Sequence, residues 1–261
     1  MHAARKQDRP DVPQAEVVVL TALDLEYEAV RGILRAPERC RHTSGTLFEI
    51  GRLSGGGGPL AIVRTGPGNG ASALIAERAI AMFRPRAVLF VGTAGALTDE
   101  IDLGDVVVAT KVYAFHGGKD DRDGFLARPQ TWNAPHELEQ LAGYIAQTMT
   151  WQQPAAERIP AVHLKPIAAG EVLLDSLTGS IVELIRRHYN DAVAVDMESG
   201  GAALAGHLNH SLPVLSIRGI SDHANGAKRS AVRSGWPRVA ARNAAAFAAA
   251  LATHLIHDHA P

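Results

Sequence analysis

Several short segments of this sequence carry side chains able to do chemistry, and each begins where an apolar run ends. Thr21 leads into Asp24 and Glu26. Val91 leads into Gly92-Thr93-Ala94-Gly95, Val195 into Asp196-Met197-Glu198-Ser199, and Ile220 into Ser221-Asp222. A further stretch, Arg64-Thr65-Gly66-Pro67-Gly68-Asn69-Gly70, joins an apolar run to a helical one. Carboxylates positioned in a site move protons, and open α/β sheets bind their ligands beyond the carboxyl ends of the strands. Each segment also has an ordinary explanation. Glycines ease a strand-to-helix turn, Asp196 and Glu198 suit the start of a helix, Asp222 suits a turn or cap, and Glu26 suits a solvated helix face. The 66–70 segment matches neither the dinucleotide fingerprint nor the phosphate loop with its Lys-Ser/Thr. Only the combination points to a site.

The elements that must position these residues follow from periodicity. Apolar runs at Val17–Thr21, Leu60–Thr65, Ala87–Val91, Val106–Val112, Ala192–Val195 and Val214–Ile220 predict strands. They are short, β-branched and without polar alternation, as strands covered on both faces are. Helices are predicted over Asp24–Leu34, Ala71–Phe83, Pro135–Met149 and Trp236–His257, the last with Val239, Phe247, Leu251 and Leu255 in an apolar stripe. Alternating strands and helices imply a three-layer α/β domain around a parallel or mixed sheet. The charged, glycine-rich run His116–Gly124 reads as a long loop, Gly55–Gly58 as a hairpin turn, and residues 1–14 as a mobile tail ahead of a single domain.

The chain has 261 residues, 46% hydrophobic and 20% charged, with a formal net charge of −1. That balance fits a soluble globular protein and argues against wholesale binding to nucleic acid or anionic membrane. The only cysteine, Cys40, cannot close an internal disulfide, so a reducing, cytoplasmic setting is expected. The polar start has no apolar signal core. His207 and His210 lack a third ligand type, so they are expected as surface residues rather than a metal site.

Taken together, the segments VVVLTALDLEYEAV (17–30), GPGNGASALIAERAIAMFRPRAVLFVGTAGAL (66–97), DLGDVVVA (102–109), AAGEVLLDS (168–176) and VAVDMESGGAALAGHLNHSLPVLSIRGISD (193–222) resemble the nucleoside phosphorylase/nucleosidase superfamily. Within it, they are most similar to the methylthioadenosine/S-adenosylhomocysteine nucleosidase branch. The resemblance runs from Val17 to His254, and the pairing of DMES with RGISD is its most specific element. It implies a three-layer fold with a central mixed β-sheet flanked by helices.

It also implies cleavage of the N-glycosidic bond of an adenosine-type nucleoside. Asp222 matches the acid that protonates purine N7, which burial with few nearby cations would assist. Glu198 matches the carboxylate that grips the ribose diol beside an oxocarbenium-like centre, and Met197 the residue packed on the ribose. Glu26 matches the group that readies the attacking water. Thr93, with Gly92, matches the water or anion site, and Ser221 precedes the acid. Leu173 and Leu174 fall where relatives meet the purine edge, often with a phenylalanine.

The resemblance implies no cofactor, no metal, and a homo-oligomer, a dimer being favoured. Near Phe90, phosphate-using relatives carry an arginine, and the first loop here offers Asp24 and Glu26 instead, which favours hydrolysis. Arg64 leaves phosphorolysis open. Lys228 and Arg229, with Arg233 and Arg238, suit either a solvated surface or a 5′-phosphate site, the latter pointing to AMP or ATP. A non-catalytic nucleoside sensor is the other class.

Overall fold

The computed structural model describes residues 14–54, 58–122, 124–151 and 158–257. In chain order the elements are β1 Val17–Thr21, α1 Asp24–Arg31, β2 Leu34–Arg41, β3 Leu47–Leu53, β4 Pro59–Arg64, α2 Asn69–Phe83, β5 Ala87–Ala96, β6 Val106–Ala114, β7 Gly118–Asp121, β8 Gly124–Ala127, β9 Gln130–Asn133, α3 His136–Thr148, β10 Val162–Ala169, α4 Ser180–His188, β11 Ala194–Asp196, α5 Ser199–Leu208, β12 Val214–Asp222, α6 Lys228–Arg233 and α7 Trp236–His257.

The main sheet is mixed, in the order β11-β10-β6-β12-β5-β1-β4-β3-β2, with β9 added beside β6. Its central strands are buried on both faces. Val17 and Val19 of β1 join one core with α3 and α7, while Val18 and Leu20 join a second core with α2 and α5. The strand period of two sends successive side chains to opposite layers, so an unbroken apolar run is required rather than an alternating one. This is the expected three-layer architecture.

Two features of β5 and β11 shape the site. β5 does not stop at Val91 but continues through Gly92-Thr93-Ala94-Gly95 to Ala96. Its far end pairs antiparallel with β11, Gly95 opposite Val195 and Ala96 opposite Ala194. β11 also pairs with β10, so β5, β12, β6, β10 and β11 close on themselves. The carboxyl ends of β5, β11 and β12 are thereby drawn together. Where the sequence predicts a loop after Val91, backbone pairing with β11 extends the strand.

Other expectations are corrected. The first helix ends at Arg31, and Leu34 opens β2 instead, because it faces Leu53 in an antiparallel hairpin. Part of the predicted loop at 116–124 pairs as the β7–β8 hairpin. In α7, Phe247, Leu251 and Leu255 are buried, but Val239 is exposed. This helix is long and apolar enough to cross a membrane, yet its apolar face packs on α1, β5 and β12. Residues 1–13 of the predicted tail and 55–57 of the predicted turn lie outside the described residues. The strands flanking that turn, β3 and β4, do pair antiparallel.

Candidate active site

Glu26, Thr93, Met197, Glu198, Ser221, Asp222, Leu173, Leu174 and Lys228 share one cavity of about 320 Å³. That volume suits a small organic ligand. The wall also includes Leu23, Pro67, Val172, Val195 and Asp196.

Glu26 is 2% exposed. It sits one turn into α1, and its Oε2 turns back to accept from the N–H groups of Ala22 and Leu23, both at 3.0 Å. Its Oε1 accepts from Thr93 N at 2.7 Å and Thr93 Oγ1 at 2.9 Å. The loop after β1 and the extended end of β5 are thus tied through one carboxylate.

Glu198 is positioned by Asp196. The Asp196 Oδ1 accepts from the N–H of Glu198 at 3.2 Å and of Ser199 at 3.1 Å, fastening the start of α5. Glu198 Oε1 accepts from Gly68 N at 3.2 Å. The glycine-rich 66–70 segment therefore presents backbone to the site, and its Asn69 bonds Gly170 O and Gly201 N on the two neighbouring segments. Burial pushes the Glu198 carboxyl up to about 7, with the charges of Asp196 and Glu26 adding to the rise, while Arg218 and the Gly68 N–H oppose it.

Asp222 ends β12, opposite Gly95. Its Oδ1 accepts from Ala224 N at 3.0 Å, and Ser221 Oγ donates to Oδ2 at 2.9 Å. Lys228 Nζ lies 3.7 Å from Oδ2. A cation therefore stands beside this carboxyl, where few nearby cations were expected.

Arg218 is the residue that sequence reasoning missed. It is fully buried. Its Nε lies 2.7 Å from Asp196 Oδ2, Nη2 donates to Ser199 Oγ at 2.9 Å, and its guanidinium carbon lies 4.3 Å from the Phe90 ring centroid. Nη1 is buried without a hydrogen-bond partner and stands 4.0 Å from Glu198 Oε2. A signal was present: an arginine inside the apolar run Leu215–Ile220 is a charge with nowhere to go but a partner.

Gly92 lies behind the cavity wall. A Cβ there would overlap Arg218 Nη1 and crowd Glu26 Oε1, so its role is to let the arginine approach. Arg64 pairs with Asp24 on the surface, and Arg229 is exposed. Neither lines the cavity.

A sequence model of the phosphorylase superfamily matches residues 16–257. The chain belongs to the phosphorylase superfamily. Among superfamily relatives, it is similar to the ATP nucleosidase Cap17 of Escherichia coli strain KTE188, 28% identical over 249 residues, covering 84% of this chain and 48% of that protein. The chain thus spans about half the length of that relative. It is 25% identical over 185 residues to the 5′-methylthioadenosine/S-adenosylhomocysteine nucleosidase of Maridesulfovibrio salexigens, covering 71% of this chain and 76% of the relative. The fold matches the Neisseria meningitidis 5′-methylthioadenosine/S-adenosylhomocysteine nucleosidase, solved in complex with methylthio-immucillin-A, with TM-score 0.77 and 23% identity over 90% of this chain and 97% of that one. It likewise matches the futalosine hydrolase of Helicobacter pylori, with TM-score 0.77 and 20% identity over 92% and 97% of the two chains.

Proposed function

We propose that this superfamily member is a purine nucleoside N-ribohydrolase acting on an adenosine-type nucleoside such as adenosine, methylthioadenosine or S-adenosylhomocysteine. The observation that carries this reading is the convergence of Glu26, Glu198 and Asp222, distant in sequence, on one cavity. The names of the nucleosidase relatives support it.

In this reading Asp222 gives a proton to purine N7 as the C1′–N9 bond breaks and the bond pair leaves with the base. Glu198 accepts hydrogen bonds from the ribose diol, and its charge faces the oxocarbenium-like sugar. A water held at Glu26 Oε1 and Thr93 Oγ1 adds to C1′, and Glu26 takes its proton. One proton leaves the enzyme and one returns, so the balance is addition of water. Met197 packs on the ribose, and Leu173 and Leu174 cover the base.

Hydrolysis is favoured over phosphorolysis for a physical reason. The wall carries Glu26, Asp196, Glu198 and Asp222, which repel phosphate, while Arg64 is engaged with Asp24. A second reading, cleavage of a 5′-phosphorylated adenosine, is favoured by one observation: Lys228 stands in the cavity wall. The ATP nucleosidase relative is consistent with it. The partly buried free thiol of Cys40 suits the cytoplasm. The exposed apolar side chains of Leu23, Val172 and Leu173 at the cavity suit a homodimer.

The test is free-base release from adenosine, inosine, methylthioadenosine, S-adenosylhomocysteine, AMP and ATP, each with and without phosphate. Adenine release without phosphate is expected. Strict phosphate dependence would make the protein a phosphorylase, and binding without any turnover would make it a sensor.

A further inference from the structure

Three segments of the cavity wall come from distant parts of the chain. Pro67 belongs to the glycine-rich turn ahead of α2, Val172, Leu173 and Leu174 to the loop after β10, and Met197 and Glu198 to the turn that leads into α5. One side chain ties them together. Asn69, the first residue of α2, does not line the cavity. Its Nδ2 donates to Gly170 O at 2.9 Å, and its Oδ1 accepts from Gly201 N at 2.9 Å. One contact needs a donor and the other an acceptor, so an amide serves both where a carboxylate or an apolar group does not.

The backbone around Asn69 adds to the tie. Its own N–H donates to Glu171 Oε1 at 3.2 Å, so the loop after β10 is held at two points. Gly68 donates its N–H to Glu198 Oε1 at 3.2 Å, and Ser72 Oγ donates to Glu198 O at 2.7 Å. Position 201 accommodates this only as glycine, because a Cβ there would overlap the Asn69 carbonyl. The proton-moving groups of the proposed reaction are anchored elsewhere: Glu26 by Ala22, Leu23 and Thr93, and Asp222 by Ser221 and Ala224. The Asn69 amide instead joins the loop carrying Leu173 and Leu174 to the segment carrying Glu198. In the proposed reading the first covers the base and the second grips the ribose. A nucleoside has a fixed length and must satisfy both grips, so an error in their spacing weakens its hold.

We propose that Asn69 is a positioning residue that couples the base grip to the ribose grip, holding the loop after β10 and the Glu198 segment at the spacing of an intact nucleoside. It acts through Gly170 and Gly201. The inference rests on the reading of Leu173, Leu174 and Glu198 as base and ribose contacts.

The test compares KM and kcat for adenosine and methylthioadenosine with the Kd of free adenine, in the wild type, Asn69→Asp and Asn69→Ala. Asn69→Asp keeps the shape of the side chain and the contact with Gly201 N, but turns its other oxygen against Gly170 O. It also places a negative charge at the start of α2, where the helix dipole favours one. Urea unfolding is therefore expected to stay near that of the wild type while the tie opens. KM is expected to rise about tenfold in Asn69→Asp and several-fold in Asn69→Ala, the effect of losing one or two part-buried hydrogen bonds. kcat should stay within about twofold, the signature of lost binding common to ground and transition states. Adenine needs only the base grip, so its Kd should stay within about twofold. An unchanged KM, an equal loss on adenine and nucleoside, or a fall in kcat at constant KM would each overturn the coupling. A wild type that binds nucleosides without releasing base would remove the hydrolase reading alone, and the coupling would then be read from nucleoside Kd against adenine Kd in the same variants.

Discussion

In the proposed reading the cavity has a sugar end and a base end. At the first, Glu26 accepts four hydrogen bonds, Asp196 fastens both Arg218 and the start of α5, and Arg218 is fully buried. At the base end, Leu173 is 58% exposed, and Asp222 meets a lysine that is one-third exposed. The first end is wired by strands β5, β11 and β12, which close on themselves. The second sets Asp222, at the end of β12, against the loop that follows β10 and the short helix α6. Chemistry common to many substrates asks for fixed geometry, and strands supply it. Discrimination among substrates is adjusted more cheaply on loops held by a rigid frame.

The largest effects should fall on the wired end and on the acid. Glu26→Gln and Asp222→Asn are each expected to lower kcat by about 10²–10⁴-fold, the usual worth of a positioned acid or base, measured by adenine release. If Glu26→Gln turned over at the wild-type rate, the wired end would be structural only. Next comes Arg218→Met. It leaves Asp196, Glu198 and Glu26 clustered without their buried cation, which should cost about 3–5 kcal/mol of folding stability, read from urea unfolding. A change well under 1 kcal/mol would mean that the cluster is more solvated than the complete burial of Arg218 implies.

Much of this contrast was legible in the sequence. The apolar runs of β1, β5, β6 and β12 stand out because both faces are covered, and the carboxylates follow their ends. Glu26, Glu198 and Asp222 were assigned through the resemblance, and the fold brings them to one cavity. What stayed hidden depends on contacts between distant segments. β5 runs on to Ala96 only because β11 is there to pair with it. Leu34 belongs to a strand because Leu53 faces it. Arg218 was within a quoted motif, but its partners lie on β11, α5 and β12 itself, so its position could not be read locally. Lys228 suited either a solvated surface or a 5′-phosphate site, and only the structure shows it beside Asp222.

A smaller effect tests the sugar end through pH. In the proposed reading Glu198 must be ionised to accept two hydrogen bonds from a diol, and burial pushes it up to about 7. Below that value the free enzyme holds Glu198 protonated, so KM for the nucleoside should rise as pH falls, approaching about tenfold per unit. Above it KM should level off. Glu198→Gln should raise KM and flatten its pH dependence. A KM independent of pH between about 5 and 8 in the wild type would place the ionisation elsewhere.

The smallest expected effect is at Arg64, and it sharpens the boundary of the cavity. Its guanidinium pairs with Asp24 in solvent, with side chains 52% and 78% exposed. An exposed pair contributes about 0–1 kcal/mol, and neither partner lines the cavity. Arg64→Ala should therefore leave unfolding nearly unchanged and leave base release unchanged with or without phosphate. A selective loss of phosphate-dependent turnover would instead bring Arg64 into the site, because only a substrate anion makes a distant surface cation matter to one cosubstrate. The carboxylate-lined wall would then need a phosphate pocket beside it, and the preference for water at C1′ would lose its electrostatic basis.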